Sequence, residues 1–133
     1  MMGHMGLANA TITLDNPRLP DLRPLEVNAL ADTGALFLCL PQHVANQLQL
    51  LETSKKEVTL ADGVRSLRPY VGPVRVRLGN RECYTGAIVL GDEVLLGAVP
   101  MEDMDLIVVP TARKVIPNPL NPNFAAGPAK GLR

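Results

Sequence analysis

The chain has 133 residues, a formal net charge of zero at pH 7 and 47% hydrophobic residues. This length predicts one domain with a modest core, and the hydrophobic content excludes an intrinsically disordered chain. Balanced charge, only 3% aromatic residues and the lack of Trp remove the basic surface and the stacking platforms typical of nucleic-acid-binding proteins. We therefore expect a protein or peptide partner and no nucleic acid.

Cysteine content and hydropathy restrict where the protein is expected to act. Cys39 and Cys83 are too few for a disulfide framework, and no charged start followed by a long apolar core marks a signal peptide. These features predict a reduced, cytoplasmic setting. No run approaches the roughly twenty apolar residues needed to span a bilayer, so no membrane partner is expected. The start, Met-Met-Gly-His-Met, resembles a cloning remnant, and His4 enters no functional argument.

Two short strands are predicted in the first quarter of the chain. The run from Ala10 to Leu14 alternates weakly between apolar and polar residues, and Asp15-Asn16-Pro17 ends it. A loop containing proline follows. From Leu25 to Ala29 the alternation returns, and this second strand leads directly into an apolar run that contains Asp32.

Asp32 is the one charged residue between Ala29 and Leu40. A buried carboxylate is costly unless it is paired, hydrogen-bonded or protonated, so Asp32 is a candidate functional residue. Thr33 adds a short hydroxyl that suits a tight turn, and Gly34 permits close backbone approach or a positive φ. An ordinary turn is the alternative, because Asp and Gly are favoured turn residues. The flanks at 29–31 and 35–38 predict buried strands and favour the functional interpretation.

A helix is predicted after the apolar run. Pro41 suits the first helical position, and Val44, Leu48 and Leu51 recur at helical spacing. We expect one short amphipathic helix with these three aliphatic residues on its buried face.

His43 and Cys39 lie close together in the sequence and invite a metal interpretation. Two candidate ligands are fewer than a zinc site needs, and Cys39 belongs to an apolar strand. We expect a buried thiol, a surface imidazole, no metal and no other cofactor.

The middle of the chain predicts a β-hairpin followed by two paired strands. Glu57–Ala61 has the pattern of a strand, Asp62-Gly63 that of a tight hairpin turn, and the chain returns from Val64. Further on, Val74–Leu78 alternates between buried and polar positions and is expected to pair with Cys83–Leu90. The hairpin is either a lid over a binding site or a plain surface hairpin.

Five arginines lie between residues 65 and 81 and make this region locally basic. One interpretation is a surface that favours acidic substrates. The other, which the sequence favours, is the solvated face of a sheet.

Near the C-terminus, Val94-Leu95-Leu96-Gly97 forms a second apolar element. Pro100–Met104 predicts a short helix, and Leu106–Val109 predicts a final strand. Beyond residue 110 the composition shifts to Pro, Asn and Gly, with four basic residues and no acidic one. We therefore expect one domain over residues 1–120 and an irregular tail over residues 121–133.

About seven short strands with one or two short helices favour an all-β fold, a small closed and mostly antiparallel β-barrel. Asp-Thr-Gly at 32–34, a hairpin tip at 60–63 and Leu95-Leu96-Gly97 follow one another in the order seen in retropepsin-like aspartic proteases. Between Leu25 and Ile116 the chain resembles this single-domain, retroviral-type class, as a bacterial-type member. In that class, the hairpin is a flap that closes over a bound peptide.

Two residues depart from the pattern of the family. Val99 stands two residues past the glycine, where retroviral enzymes often carry Asp or Asn, and this weakens the tie to the viral enzymes more than to the wider class. Ala31 stands where a larger aliphatic residue is common, which implies looser packing behind the loop.

The resemblance implies a homodimeric aspartic endopeptidase that acts on peptide or protein substrates. Its mechanism needs two carboxylates that share one proton, and the chain is too short for two lobes, so a partner supplies the second Asp32 across a two-fold axis. The implied catalytic residues are Asp32, Thr33 and Gly34, and the implied substrate-binding residues are Ala35, Leu60, Ala61, Asp62 and Gly63.

Two alternatives stay open at this point. The same barrel can serve as a non-catalytic peptide-binding or dimerisation module. A structural β domain in which Asp32 caps a turn predicts instead a monomer with Asp32 near the surface. Two Asp32 side chains that face each other in a dimer would distinguish the protease from the monomer.

Overall fold

The computed structural model describes residues 8–129 and 131. His4 and the outer ends of the predicted domain and tail, residues 1 and 133, lie outside them. The described chain forms nine strands and two short helices: β1 (Ala8–Asp15), β2 (Leu25–Ala31), β3 (Leu38–Leu40), α1 (Gln42–Gln47), β4 (Leu51–Thr59), β5 (Arg65–Leu78), β6 (Arg81–Val89), β7 (Val94–Leu96), α2 (Ala98–Asp103), β8 (Leu106–Val109) and β9 (Lys114–Pro117).

Six of these strands close into a barrel. Hydrogen-bonded neighbours follow the order β5, β6, β3, β7, β2, β1 and return to β5. β4 extends the sheet beyond β5, and the β8–β9 hairpin extends it beyond β1. Three pairings are parallel, namely β1–β9, β2–β7 and β3–β6, and the other six are antiparallel. The closed, mostly antiparallel β-barrel expected from the sequence is confirmed.

Aliphatic side chains from the inward-facing strand positions fill the barrel. The fully buried ones include Ile12, Leu14, Leu38, Leu40, Val74, Val76 and Leu96. Burial of each such side chain contributes about 1.5–3 kcal/mol relative to exposure. This packed wall holds the ends of β2, β3 and β7 in place, where the candidate site lies.

Helix α1 is shorter than its apolar spacing predicts. Val44 and Leu48 are buried as expected, but Leu51 begins β4 and is 65% exposed, so its predicted place on the helix is wrong. Gln49 has φ of 53° in the left-handed region, which ends the helix and turns the chain into β4. In the described part of the chain, neither helix is long and apolar enough to cross a membrane.

Strand β9 was not predicted from the sequence. It pairs antiparallel with β8 over all four of its residues and meets β1 in parallel at Asn9 and Lys114. The Asn9 N–H donates to the carbonyl of Arg113 at 3.1 Å. These contacts attach the C-terminal hairpin to the barrel.

The C-terminal segment, residues 118–126, is held by side chains that include those of Asp105 and Arg81. The Asp105 carboxylate accepts hydrogen bonds from the side-chain amides of Asn118 (3.2 Å) and Asn121 (2.7 Å) and from the backbone N–H of Ala126 (3.1 Å). Arg81, only 2% exposed, donates to the carbonyls of Asn118 and Asn121. The division into a domain and a tail at residue 120 stays a prediction.

Candidate active site

Asp32 lies directly beyond the end of β2, at the start of a tight loop. Its backbone N–H donates to the Leu96 carbonyl at 3.1 Å, which continues the parallel β2–β7 pairing by one residue. Its carbonyl accepts from the Ala35 N–H at 3.0 Å, so residues 32–35 form a turn. Within this turn the Gly34 N–H donates to Asp32 Oδ1 at 2.9 Å. The side chain is partly exposed, which avoids the full cost of burying a carboxylate.

Strand β7 supports this loop from behind, because it lies between β2 and β3. Ala31 is opposite Leu96 in the parallel pairing, and Cys39 is opposite Leu95 in the antiparallel one. Ala31 and Leu96 are both fully buried. The chain segments that enter and leave the loop are therefore fixed by one shared neighbour.

The start of α2 binds the second half of the loop. The Ala98 N–H donates to the Ala35 carbonyl at 2.8 Å, and the Val99 N–H donates to the Leu36 carbonyl at 3.0 Å. These bonds hold residues 35–37 as a loop, so the strand predicted over 35–38 is wrong except at Leu38, where β3 begins.

Gly97 is required by space at this contact. A Cβ at this position would lie 2.3 Å from the Phe37 carbonyl oxygen and 2.7 Å from the Leu36 carbonyl carbon. Both are backbone atoms that cannot rotate away, and the φ of Gly97 is −84°, so steric room rather than conformational freedom demands glycine. The Leu-Leu-Gly element is thus part of the site's frame.

A cleft of about 480 Å³ separates the Asp32 loop from the β4–β5 hairpin. Five of the eight predicted site residues line it: Asp32, Gly34, Ala35, Leu60 and Ala61. The loop after β2 contributes one wall and the hairpin the other. An extended peptide in this cleft would lie between the carboxylate and the hairpin backbone.

The other three predicted residues, Thr33, Asp62 and Gly63, lie outside this lining. Thr33 is exposed beside Asp32. Asp62 and Gly63 form the hairpin tip, where Asp62 Oδ1 accepts the Val64 N–H at 3.0 Å and Gly63 has φ of 86°. The predicted hairpin turn is confirmed, and its positive φ explains the glycine.

Asp32 is the carboxylate of the cleft that has no basic partner among the described residues. The second carboxylate of the lining, Glu57, is exposed and lies 3.5 Å from an Arg65 guanidinium nitrogen. Burial, and then the negative charge of Asp32, raises the pKa of the Cys39 thiol to about 11. Cys39 is therefore protonated at neutral pH and is no nucleophile there.

The two residues considered for a metal site, His43 and Cys39, differ in solvent exposure. His43 is exposed on α1, whereas Cys39 is 6% exposed in β3. Over residues 8–129 and 131, no three His, Cys, Asp or Glu side chains are grouped so as to hold a metal ion. The expected surface imidazole and buried thiol are confirmed.

Comparison with known families identifies the class of this site. The sequence model described as aspartyl protease matches residues 18–121, which include the Asp32 loop, the hairpin and the Leu-Leu-Gly element. This chain belongs to the aspartyl protease family. It is an aspartic-type endopeptidase of the retropepsin-like class, as expected from its motifs. The comparison with curated proteins gives no match.

A solved structure of a protease has the same fold. The EIAV protease complexed with the inhibitor HBY-793 is 20% identical to this chain, with a TM-score of 0.50. The match covers 76% of this chain and 90% of the viral one. At this identity the likeness supports the fold alone, and it agrees with the closed barrel found in this aspartyl protease.

Several cleft residues of this aspartyl protease were not predicted from the sequence. They include Phe37, Val58, Leu90 and Leu95. The sequence held a signal for Val58, because Val58 and Leu60 alternate with the polar residues Glu57 and Thr59. Leu90 and Leu95 reach the cleft only because the barrel closes.

Proposed function

We propose that this aspartyl protease is a homodimer that hydrolyses peptide bonds with one Asp32 from each chain. The observation that carries the proposal is that the cleft holds a single carboxylate without a basic partner in the described chain, at the rim of a rigid loop. An aspartic mechanism needs two such carboxylates at hydrogen-bonding distance with one shared proton. A second copy related by a two-fold axis supplies the missing group.

In the proposed reaction the two Asp32 carboxyl groups have different roles. The ionised one removes a proton from water, and the hydroxide formed attacks the carbonyl carbon of the peptide bond. The protonated one gives its proton to the carbonyl oxygen, which forms a neutral tetrahedral diol. Transfer of a proton to the amide nitrogen and cleavage of the C–N bond then release an acid and an amine.

The rim of the Asp32 loop offers a surface for such a dimer. Thr33 is exposed, and Leu36 and Val99 are 55% and 46% exposed although their backbones are hydrogen-bonded to each other. Adjacent apolar side chains beside an incomplete site favour contact with a second copy. In the proposed dimer, Thr33 hydrogen-bonds to the partner's loop, and Gly34 permits the two loops to approach each other closely.

The β4–β5 hairpin is the proposed flap. Leu60 and Ala61 line the cleft opposite Asp32, and the exposed tip at Asp62 and Gly63 leaves the hairpin free to open. A substrate in extended conformation would add as a strand beneath it, with backbone hydrogen bonds giving affinity and side-chain pockets giving specificity. Opening and closing of this lid would control entry of the peptide.

We also propose the cytoplasm as the site of action and residues 1–120 as the catalytic domain. Both cysteines are free and buried, which suits a reducing compartment. The C-terminal segment hydrogen-bonds to Asp105 and Arg81, and contributes nothing to the cleft lining described above.

Subunit mixing tests the dimeric site. Wild-type protein well above its dimer dissociation constant is mixed with an equal amount of Asp32→Asn chain and allowed to exchange. Random pairing places about half of the wild-type chains in mixed dimers with one Asp and one Asn at the axis, so activity should fall to roughly half.

A site complete within one chain would be unaffected by the mutant. A non-catalytic peptide-binding module would show no cleavage to lose. Undiminished activity, with exchange verified by mass spectrometry of differently labelled chains, would overturn the dimeric mechanism.

A further inference from the structure

Four of the five arginines between residues 65 and 81 have partners that explain their presence. These are Arg65 with Glu57, Arg75 and Arg77 with Asp15, and Arg81 with carbonyls of the C-terminal segment. The fifth, Arg68, donates to the Ser66 hydroxyl at 2.8 Å and has no carboxylate partner among the described residues. Arg68 therefore carries a positive charge that the described part of the chain leaves uncompensated.

A second cation lies directly opposite Arg68 on the hairpin. Lys56 of β4 is the cross-strand partner of Arg68 of β5, and residues opposite each other in an antiparallel pair share one face of the sheet. Lys56 likewise has no carboxylate partner in the described chain. Like charges in this position destabilise a sheet, so the pair has a cost that the fold itself does not explain.

This pair lies on the same side of the hairpin as two residues of the cleft wall. Lys56 and Val58 are partly buried positions of β4, and Leu60 follows directly after its end. Val58 and Leu60 line the cleft with Asp32, as do residues of the other face. Side chains two residues apart on a strand point to the same side. The two cations therefore lie beside the residues that line the cleft, on the same side of the hairpin as Val58 and Leu60.

Aromatic rings hold Lys56 beside the cleft. Its Nζ lies 4.6 Å from the ring centre of Tyr70 and 5.6 Å from that of Phe37, and the two rings meet edge to face at 6.2 Å. Phe37 itself lines the cleft. Cation–π contacts orient an ammonium group without neutralising its charge. Lys56 is thus positioned, charged and available for an anion.

We propose that Lys56 and Arg68 form a subsite that selects an acidic side chain of the peptide substrate. This inference rests on the proposed function, since it assigns a specificity to the same cleft. A carboxylate suits the pair because an Arg guanidinium and a Lys ammonium both form charge-assisted hydrogen bonds with it. Lys56 is four residues from Leu60, so in an extended peptide the selected residue lies about four positions from the scissile bond.

Matched peptides test the subsite. A sequence that the wild-type protein cleaves is taken from a library of extended peptides, and Glu, Gln or Lys is placed in turn at each position on both sides of the scissile bond. At one position we expect Glu to exceed Gln in kcat/KM by about tenfold, since charge-assisted hydrogen bonds are stronger than neutral ones. Lys at that position should be cleaved more slowly than Gln.

The double variant Lys56→Gln with Arg68→Gln should bring the Glu-to-Gln ratio to about one, because the cationic partners are gone. Lys55→Gln is the matched control: Lys55 is exposed on the neighbouring position of the same strand and pairs with Glu52 at 2.8 Å, so its loss should leave the ratio unchanged. If Lys56 were only a latch for the hairpin, the double variant would lower the melting temperature and keep the ratio.

Binding to peptide arrays separates this inference from the protease proposal. Asp32→Asn protein is applied to arrays that differ only in Glu or Gln, with and without the Lys56 and Arg68 substitutions. A preference for Glu that the substitutions remove supports the subsite even if no peptide is cleaved, in which case the protease proposal alone fails. Cleavage without an acidic preference, or a preference that survives in the double variant, overturns the subsite.

Discussion

Asp32 and Asp105 each organise a loop of this protein, but their carboxylates have opposite surroundings. The Asp105 carboxylate accepts three hydrogen bonds from the C-terminal segment, and these donors, with Asn121 first, hold its pKa below the ordinary value. Within the described chain, the Asp32 carboxylate accepts one hydrogen bond, from the Gly34 N–H in its own turn, and it lines an open cleft. A carboxylate saturated with donors holds structure, whereas one with spare acceptor capacity beside a cleft is available to water and substrate.

The largest effect expected from this comparison is on activity. Asp32→Asn should lower cleavage by about a thousandfold, the middle of the range that a group in general acid–base catalysis typically contributes, and should leave the melting temperature unchanged. Stability should not change because the side-chain oxygen of the introduced Asn can still accept the hydrogen bond from the Gly34 N–H. Peptide cleavage and thermal unfolding of the same preparation check both parts.

Asp105→Asn is the reciprocal variant. It should keep the activity of the folded protein and lower the melting temperature. If both variants lost activity equally with no change in stability, the division of roles between the two aspartates would be wrong.

Packing is tight behind the Asp32 loop, at Gly97, and loose beyond the C-terminal segment, at Gly127. Gly97→Ala places a Cβ against the backbone of Phe37 and Leu36 and should cost about 1–3 kcal/mol of unfolding free energy, with a loss of activity. Gly127→Ala, just beyond the C-terminal segment, has no atom of the described residues within 4 Å of the added Cβ and serves as the control. Urea unfolding at one protein concentration measures the unfolding free energy of both variants. Equal values for the two would contradict the tight contact at Gly97.

Acid should reduce the contribution of Asp105 to stability. Its pKa is lower in the folded protein than the ordinary 3.8, so the stabilisation is present above pH 3.8 and is lost as the pH falls below it. Urea midpoints of wild type and Asp105→Asn should therefore differ at pH 7 and converge in strong acid. If the difference between the two urea midpoints did not change with pH, the stabilisation would come from the packing of the side chain rather than from its charge.

The smallest expected effect is on the pKa values of the two buried thiols, because the charge of Asp32 acts on Cys39 and those of Asp103 and Glu82 act on Cys83. Burial raises the pKa of Cys83 to about 12 and that of Cys39 to about 11, and Asp32 adds to the second but not to the first. Asp32→Asn should lower the pKa of Cys39 and leave Cys83 unchanged. Thiolate absorbance of single-cysteine variants against pH measures this.

The raised pKa values of the two thiols also predict that the protein loses stability at alkaline pH. The stabilisation from each protonated thiol is present below pH 9, the ordinary value, and is lost as the pH rises through the folded value. Replacement of Cys39 by Ala should flatten the alkaline limb of the stability curve.

The active-site loop was predictable from the sequence because its signals are local. An acid between apolar runs, a following glycine and an Asp-Gly hairpin turn each reflect the conformational preferences of a few neighbouring residues. The second apolar element and α2 were recognised in the same way. The placements of Leu51 and residues 35–37 were wrong, because a left-handed residue and hydrogen bonds from α2 overrode the local pattern.

Only the tertiary structure decided which of these pieces meet. β9 and the C-terminal segment have weak local signals. β9 is placed by its pairing with β8 and β1, and the segment by hydrogen bonds to Asp105 and Arg81, which lie earlier in the chain. The need for glycine at position 97 comes from the Leu36–Phe37 backbone, some sixty residues away. Lys56 and Arg68 became distinct from the other basic residues only once strand register set their common face, since a strand's two sides alternate and pairing alone determines which one is buried.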